Sequence, residues 1–235
     1  MGGGLSIYRT TIRALGGLLP QDCTVCGQGS GDRLLCAACE TDLPDLAGPL
    51  CPVCATPTAD GAVCGACQAS PPHFDATTAA FRYAFPIEHL VQGLKYRHRL
   101  PLAGWLAEAL AARIDAAGID CLLPLPLSAQ RMRERGFNQA QEIARPLARR
   151  LGLPLVSDAC YRVHDGAPQA SLPWKERQAN IRHAFECRLD LSGKRVAVVD
   201  DVMTTGATLN EFARTLKLHG AGRVENWVAA RTLPH

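Results

Sequence analysis

No Gly-x-x-x-x-Gly-Lys-Ser/Thr sequence occurs anywhere in the 235 residues, so the phosphate cradle of a kinase-like P-loop is excluded. Long hydrophobic runs are missing too: none approaches the roughly 18 residues that cross a bilayer. Residues 5–19 are interrupted by Arg9 and Arg13, unlike the core of a secretory leader, so the cytoplasm is the expected compartment. Lysine is scarce, 4 against 21 Arg, a ratio that with the many Ala reflects coding bias more than a nucleic-acid footprint. Basic charge is nearly absent from the first part of the chain: residues 1–70 hold 3 basic and 6 acidic side chains, leaving 22 and 16 beyond. The surplus of +6 after residue 70 suits an anionic ligand, whereas DNA or RNA binding calls for a pronounced basic stripe. With 47% hydrophobic residues, the chain can bury one good core and a small satellite.

Cysteine, by contrast, is abundant and ordered. Eight of the eleven fall in four CxxC pairs, Cys23/Cys26, Cys36/Cys39, Cys51/Cys54 and Cys64/Cys67, and each half reads CxxC, nine residues, CxxC. Every cysteine of the first half recurs 28 residues later, the mark of a duplicated unit. Two thiolates two residues apart bind one metal from a tight turn, and a second pair completes an S₄ shell, whose usual occupant is zinc. Two zinc ions are expected. Disulfides are unfavourable in a reducing compartment, and four evenly arrayed pairs exceed what redox chemistry needs. Pairing is either sequential within each half or interleaved; identical spacings favour the sequential arrangement. No His lies between Cys23 and Cys67 to mark an open coordination position, so the sites read as structural. Only Arg33 is basic there, which argues against phosphate-backbone binding by this region. Cys121, Cys160 and Cys187 remain as inert thiols.

Three segments follow: an amphipathic helix in 1–20 with Leu5, Tyr8, Ile12, Leu15 and Leu19 on one face, the cysteine region at 21–70, and a main domain at 71–235 after Pro71-Pro72.

The densest chemistry lies near the end. Arg195–Val199 is apolar and β-branched, follows Ser192-Gly193-Lys194, and reads as a buried parallel strand with Asp200 and Asp201 at its carboxyl end. Leu209, Phe212, Ala213 and Leu216 then recur at helical spacing, with Gly220 as a stop. Between them, Thr204-Thr205-Gly206-Ala207-Thr208 supplies hydroxyls, a close-approach glycine and a helix N-terminus, a favourable place for a phosphate dianion. Adjacent carboxylates accept from a ribose diol or support a divalent cation. The run therefore recognises a sugar 5-phosphate. It resembles the signature of type I phosphoribosyltransferases, which implies an α/β fold with an open, mostly parallel sheet and flanking helices, here preceded by a small zinc-binding region. Thr204 stands where oxopurine-salvage members carry an acid. That leaves the subclass resembling orotate and amido phosphoribosyltransferases, or a protein that binds the ligand for another purpose.

The middle of the chain supplies cations. Ile87, Leu90, Val91 and Leu94 mark a helix ending at Lys95-Tyr96-Arg97, and a second follows Pro101. Ile119–Leu123 reads as a strand stopped at Pro124. A loop then presents Arg131, Arg133 and Arg135 before Asn138 caps a helix over 138–151, which Pro146 should kink.

Arg135-Gly136-Phe137-Asn138-Gln139, together with Pro124-Leu125-Pro126-Leu127-Ser128, Lys95-Tyr96 and the four-cysteine unit, resembles the ComF family of competence-associated proteins with a phosphoribosyltransferase-type domain. The resemblance continues through Arg162, Gln169, Arg177, Asn180 and Phe185 to Asp200-Asp201, and departs in the doubling of the zinc unit. It implies 5-phosphoribosyl 1-diphosphate with Mg²⁺ as ligand. Asp200, Asp201, Arg135 and Arg177 are implied as the catalytic groups. Pro124, Leu125, Asn138, Gln139, Lys95, Gln169 and Thr204–Thr208 are implied as binding contacts. It also implies a setting in DNA uptake and natural transformation, with single-stranded DNA and DNA-uptake proteins as partners. Two readings remain open: transfer of phosphoribosyl to a base or amine, and binding of the ligand without transfer. The long stretch between Arg162 and Phe185 reads as a loop that closes over the ligand.

Overall fold

The computed structural model describes residues 21–163 and 183–233. The expected helix in 1–20, and Gln169, Arg177 and Asn180, lie outside the described residues.

The cysteine region holds little regular structure, as expected where metal ligation replaces a core: strands β1 (Gln21–Asp22) and β2 (Gly29–Gly31), and single-turn helices α1 (Ala37–Thr41) and α2 (Gly65–Ala69). The main body follows as β3 (Ala76–Arg82), α3 (Ile87–Arg97), α4 (Pro101–Ala111), β4 (Cys121–Pro124), α5 (Ala129–Arg135), α6 (Gln139–Leu151), β5 (Cys160–Arg162), β6 (Phe185–Cys187), β7 (Arg195–Met203), α7 (Ala207–Leu218) and β8 (Arg223–Arg231). β3, β8, β7 and β4 form one sheet in that order, with every pairing parallel.

Strand alternation divides the core between the two faces of the sheet. Ala197, Val199 and Trp227 pack with Leu90, Leu94, Leu106 and Ile143 of α3, α4 and α6. Val196, Val198, Val224 and Val228 pack with Phe212, Ala213 and Leu216 of α7. Beyond α6 the chain returns beside the outer edge of β4, where Leu155 bridges Leu122 in parallel. After β7, α7 lies on the opposite face and leads back to β8. The connections from β4 and β7 thus diverge, and a crevice opens between their carboxyl ends, the usual ligand position in open α/β sheets.

The structure adjusts several expectations. β4 begins at Cys121 rather than Ile119; just before it, Asp120 is tied to the start of β7, its N–H donating to the Arg195 carbonyl at 2.8 Å and its carboxylate accepting from the Arg195 N–H at 2.7 Å. Asp200 and Asp201 lie inside β7, which continues to Met203 while pairing only with β8, since β4 stops opposite Val199. The expected Arg-rich loop is helix α5: Ser128 caps it by accepting from the Arg131 N–H at 3.3 Å, and Ala, Gln, Arg, Met and Glu are good helix formers. α6 runs through Pro146 as one helix. Asn138 caps it as expected, accepting from the Ala140 N–H at 3.0 Å. Cys160 and Cys187 face each other in register across β5 and β6, both buried.

The two cysteine units straddle the sheet. Cys23 and Leu35 of the first join the core under α3, whereas Cys51, Cys54 and Cys67 of the second join the opposite core with Phe74, Met203 and Leu209. Edge strand β3 lies between them. Its Thr77 and Arg82 N–H groups donate to the Pro52 and Pro44 carbonyls at 3.2 and 2.9 Å, so the units cap an edge that would otherwise template aggregation. Among the described residues no helix is long and apolar enough to cross a membrane.

Candidate functional site

The crevice between β4 and β7 holds a cavity of about 230 Å³, room for one small polar ligand. Asp200 and Asp201 line it from β7, Thr204, Gly206, Ala207 and Thr208 from the turn into α7, Leu125, Arg135, Asn138 and Gln139 from the segment after β4, and Lys95 from α3. Residues far apart in the chain, from Lys95 to Thr208, are thus brought together. Two expected contacts are placed elsewhere: Pro124 is buried in the sheet opposite Val199, and Thr205 accepts from the Ala207 N–H at 3.3 Å as part of the turn. The wall also includes Arg131 and Arg162. Arg131 sits one helical turn before Arg135 in α5, a relation that a loop in this segment would not provide.

Backbone geometry explains the turn. Gly206 sits at φ +79° as the N-cap of α7, a left-handed position, and an added Cβ would fall 2.5 Å from the Met203 methyl group. On the other wall, the Asn138 amide donates to the Leu125 carbonyl at 3.0 Å and ties the post-β4 segment to the start of α6. Two helix N-termini, of α6 and α7, therefore converge on one cavity, and their dipoles favour negative charge.

Consecutive residues at the end of α3 reach both halves of the site. Lys95 Nζ lies 2.9 Å from Asp201 Oδ2, with both side chains mostly buried. Tyr96 accepts from Arg135 Nη2 at 3.4 Å beneath a guanidinium 5.2 Å from its ring centroid. Arg135 Nη1 donates to Gln139 Oε1 at 3.0 Å. The Gln139 amide nitrogen is buried without a partner, a costly state unless a ligand supplies an acceptor.

The paired acids differ. Burial, and then the negative charge of Asp201, push Asp200 up to about 8, against the opposing pull of Lys95, the Asp201 N–H and Arg162. Its folded value exceeds the ordinary 3.8, so the stability cost of ionising it is absent below that value and grows as pH rises towards about 8. A ligand that needs the carboxylate must strip this proton. Binding at pH 7 is expected to release up to one proton and to strengthen as pH rises through about 8. Calorimetry in buffers of different ionisation enthalpy reads the release; buffer-independent heats would contradict it.

The cysteines gather as sequential fours, Cys23, Cys26, Cys36 and Cys39, and Cys51, Cys54, Cys64 and Cys67, each with all sulfurs within 4.8 Å. Cys26 and Cys36 Sγ are 3.8 Å apart, and Cys54 and Cys64 Sγ 3.5 Å. A tetrahedral zinc with bonds of about 2.3 Å requires edges of about 3.8 Å, so the spacing fits zinc. Burial would raise Cys51, but the N–H groups of Cys64, Cys54 and Val53 outweigh it and hold the thiol at about 7. Burial and neighbouring thiols push Cys67 upward. Four sulfurs share negative charge poorly without a cation, which a bound zinc resolves. Both sites are closed sets of four cysteines and are structural in kind.

Fold and site define a phosphoribosyltransferase-type domain carrying a pair of zinc-binding units. The Double zinc ribbon domain matches residues 14–68, and the Phosphoribosyl transferase domain matches residues 137–232. The chain belongs to the ComF family. It is similar to the DNA utilization protein YhgH of Salmonella typhi, 35% identical over 69% of this chain and 75% of that protein. It is also similar to Competence protein F of Haemophilus influenzae, 30% identical over 68% of this chain and 74% of that protein. Among solved structures, the allosteric regulatory enzyme of purine biosynthesis is similar at 19% identity and TM-score 0.34, over 54% of this chain and 25% of that one.

Proposed function

We propose that this protein binds 5-phosphoribosyl 1-diphosphate at the β4–β7 crevice and acts in DNA uptake, in keeping with the names of its relatives. The observation that carries the reading is the convergence of two helix N-termini and an Asp-Asp pair on a single cavity. The α7 turn takes the 5-phosphate through Thr204, Gly206, Ala207 and Thr208, and Asp200 and Asp201 accept from the ribose hydroxyls. Arg135 and the Gln139 amide face the pyrophosphate. Mg²⁺ fits this donor set as a ligand-borne ion, held by one or two carboxylates plus substrate phosphates, and supplies charge neutralisation on the pyrophosphate when bound. Lys95, 2.9 Å from Asp201 Oδ2, holds that carboxylate in place.

The same groups would serve transfer to a base or amine, because positioning and electrostatic support of the departing pyrophosphate need no covalent nucleophile. Single-stranded DNA and DNA-uptake proteins are the partners that fit the binding reading. Ligand at about 100 times its Kd, with Mg²⁺, should stabilise the fold by about 2.7 kcal/mol, visible as a raised melting temperature. An unmoved melting curve at millimolar ligand would sink the proposal. A screen for pyrophosphate release over bases and amines separates the readings: release with any acceptor favours transfer.

A further inference from the structure

Arg231 ends β8 opposite Met203, and only 6% of it is exposed. Its guanidinium is shared between two parts of the molecule that the sequence keeps far apart. Toward the second cysteine unit, Nε donates to the Cys54 carbonyl at 2.9 Å and Nη2 to the Thr56 hydroxyl oxygen at 3.3 Å. Toward the ligand turn, Nη1 donates to the Met203 carbonyl at 3.2 Å and to the Thr204 carbonyl. Thr56 Oγ1 is also 3.3 Å from Cys54 Sγ. One planar fork of donors thus joins a zinc ligand to the first peptides of the phosphate turn.

We propose that Arg231 is a positioning residue that couples zinc occupancy of the Cys51/Cys54/Cys64/Cys67 unit to the ligand-binding competence of the Met203–Thr208 turn. In a planar trans peptide the carbonyl and the following N–H point in opposite directions. Holding the Met203 and Thr204 carbonyls on the guanidinium therefore aims the Thr204 and Thr205 N–H groups away from it and fixes the turn before any anion arrives. At the other end, the Thr56 hydroxyl oxygen accepts from Arg231 and lies within hydrogen-bond reach of the Cys54 sulfur, so it links the fork to a zinc ligand. Losing the metal frees the Cys51–Thr56 turn and with it two of the fork's anchors. Buried carbonyls and a buried guanidinium tolerate few alternative arrangements, so the two sites share one organised state. Coupling of this kind is reciprocal: ligand tightens zinc as zinc tightens ligand.

The direction of coupling to ligand rests on the function proposed above; the ordering of the turn does not. The test uses the full zinc-loaded chain in wild type, Arg231→Gln, Arg231→Lys and Thr56→Val. In ligand-free protein, amide exchange across Met203–Thr208 is expected to speed up at least about tenfold in Arg231→Gln and by less in Arg231→Lys and Thr56→Val. Should Arg231→Gln fail to fold, the two milder variants carry the comparison. In a second arm, zinc transfer to a colorimetric chelator is followed with and without 5-phosphoribosyl 1-diphosphate and Mg²⁺. Ligand should slow the loss of one of the two ions several-fold in wild type and have no such effect in Arg231→Gln. Unchanged exchange in the variants, or bound ligand that slows the loss of both ions or of neither, would overturn the coupling. A wild-type protein that binds no ligand overturns the function, and the exchange arm alone then decides the role of Arg231.

Discussion

Replacing both acids, Asp200→Asn with Asp201→Asn, is expected to weaken 5-phosphoribosyl 1-diphosphate binding by about 10²- to 10⁴-fold. Each charge-assisted hydrogen bond lost is worth about 1.5–3 kcal/mol, and every 1.4 kcal/mol is a factor of ten. The single variants should differ in their effect on stability. Asp200→Asn removes a carboxyl that is costly to ionise, so the melting temperature should rise with pH-dependent gain up to about pH 8, even as affinity falls. Asp201→Asn leaves Lys95 without the partner 2.9 Å away and should lower the melting temperature. Calorimetry and thermal melting on the three variants check this. Equal stability changes in the two singles would remove the distinct environments assigned to the acids.

Stripping the second zinc unit should have the larger effect on the fold. Cys51→Ser or Cys67→Ser is expected to reduce metal content from about two zinc per chain to about one. Structural zinc contributes about 10–16 kcal/mol in small domains, against total stabilities of about 5–15 kcal/mol. Because Cys51, Cys54 and Cys67 share a core with Phe74, Met203 and Leu209, the damage should not stay local. A loss of even about 4 kcal/mol would lower the melting temperature by roughly 10 °C in a chain of this size. Metal analysis with thermal melting reads both quantities. A variant retaining two zinc ions, or a metal-free protein melting like wild type, would contradict the structural assignment.

The elements legible in the sequence are those whose signal is local. β7 and α7 announce themselves by β-branched and 3.6-residue patterns, and the cysteine units by spacing alone. Asn138 and Pro124 act within a few residues of themselves, so their roles as cap and stop are readable. α5 is not, because three arginines suggest solvent before they suggest helix, and the deciding cap is a single Ser128 hydroxyl. Long-range partnerships leave no trace in a single chain. Lys95 meets Asp201 across more than 100 positions, and Arg231 meets Cys54 across 177. Lys95 enters the candidate site only through family resemblance; Arg231, an ordinary strand residue by pattern, does not enter at all. The facing of Cys160 and Cys187 likewise depends on strand register, which no spacing rule supplies.

Calorimetric titration of the wild-type protein with 5-phosphoribosyl 1-diphosphate and Mg²⁺, beside pyrophosphate and ribose 5-phosphate separately, tests the joint recognition of phosphate and diol most directly. One intact ligand per chain, bound at least about 100-fold more tightly than either fragment, is the expected result. Absence of binding at millimolar ligand, or pyrophosphate alone binding as tightly as the whole, would contradict it.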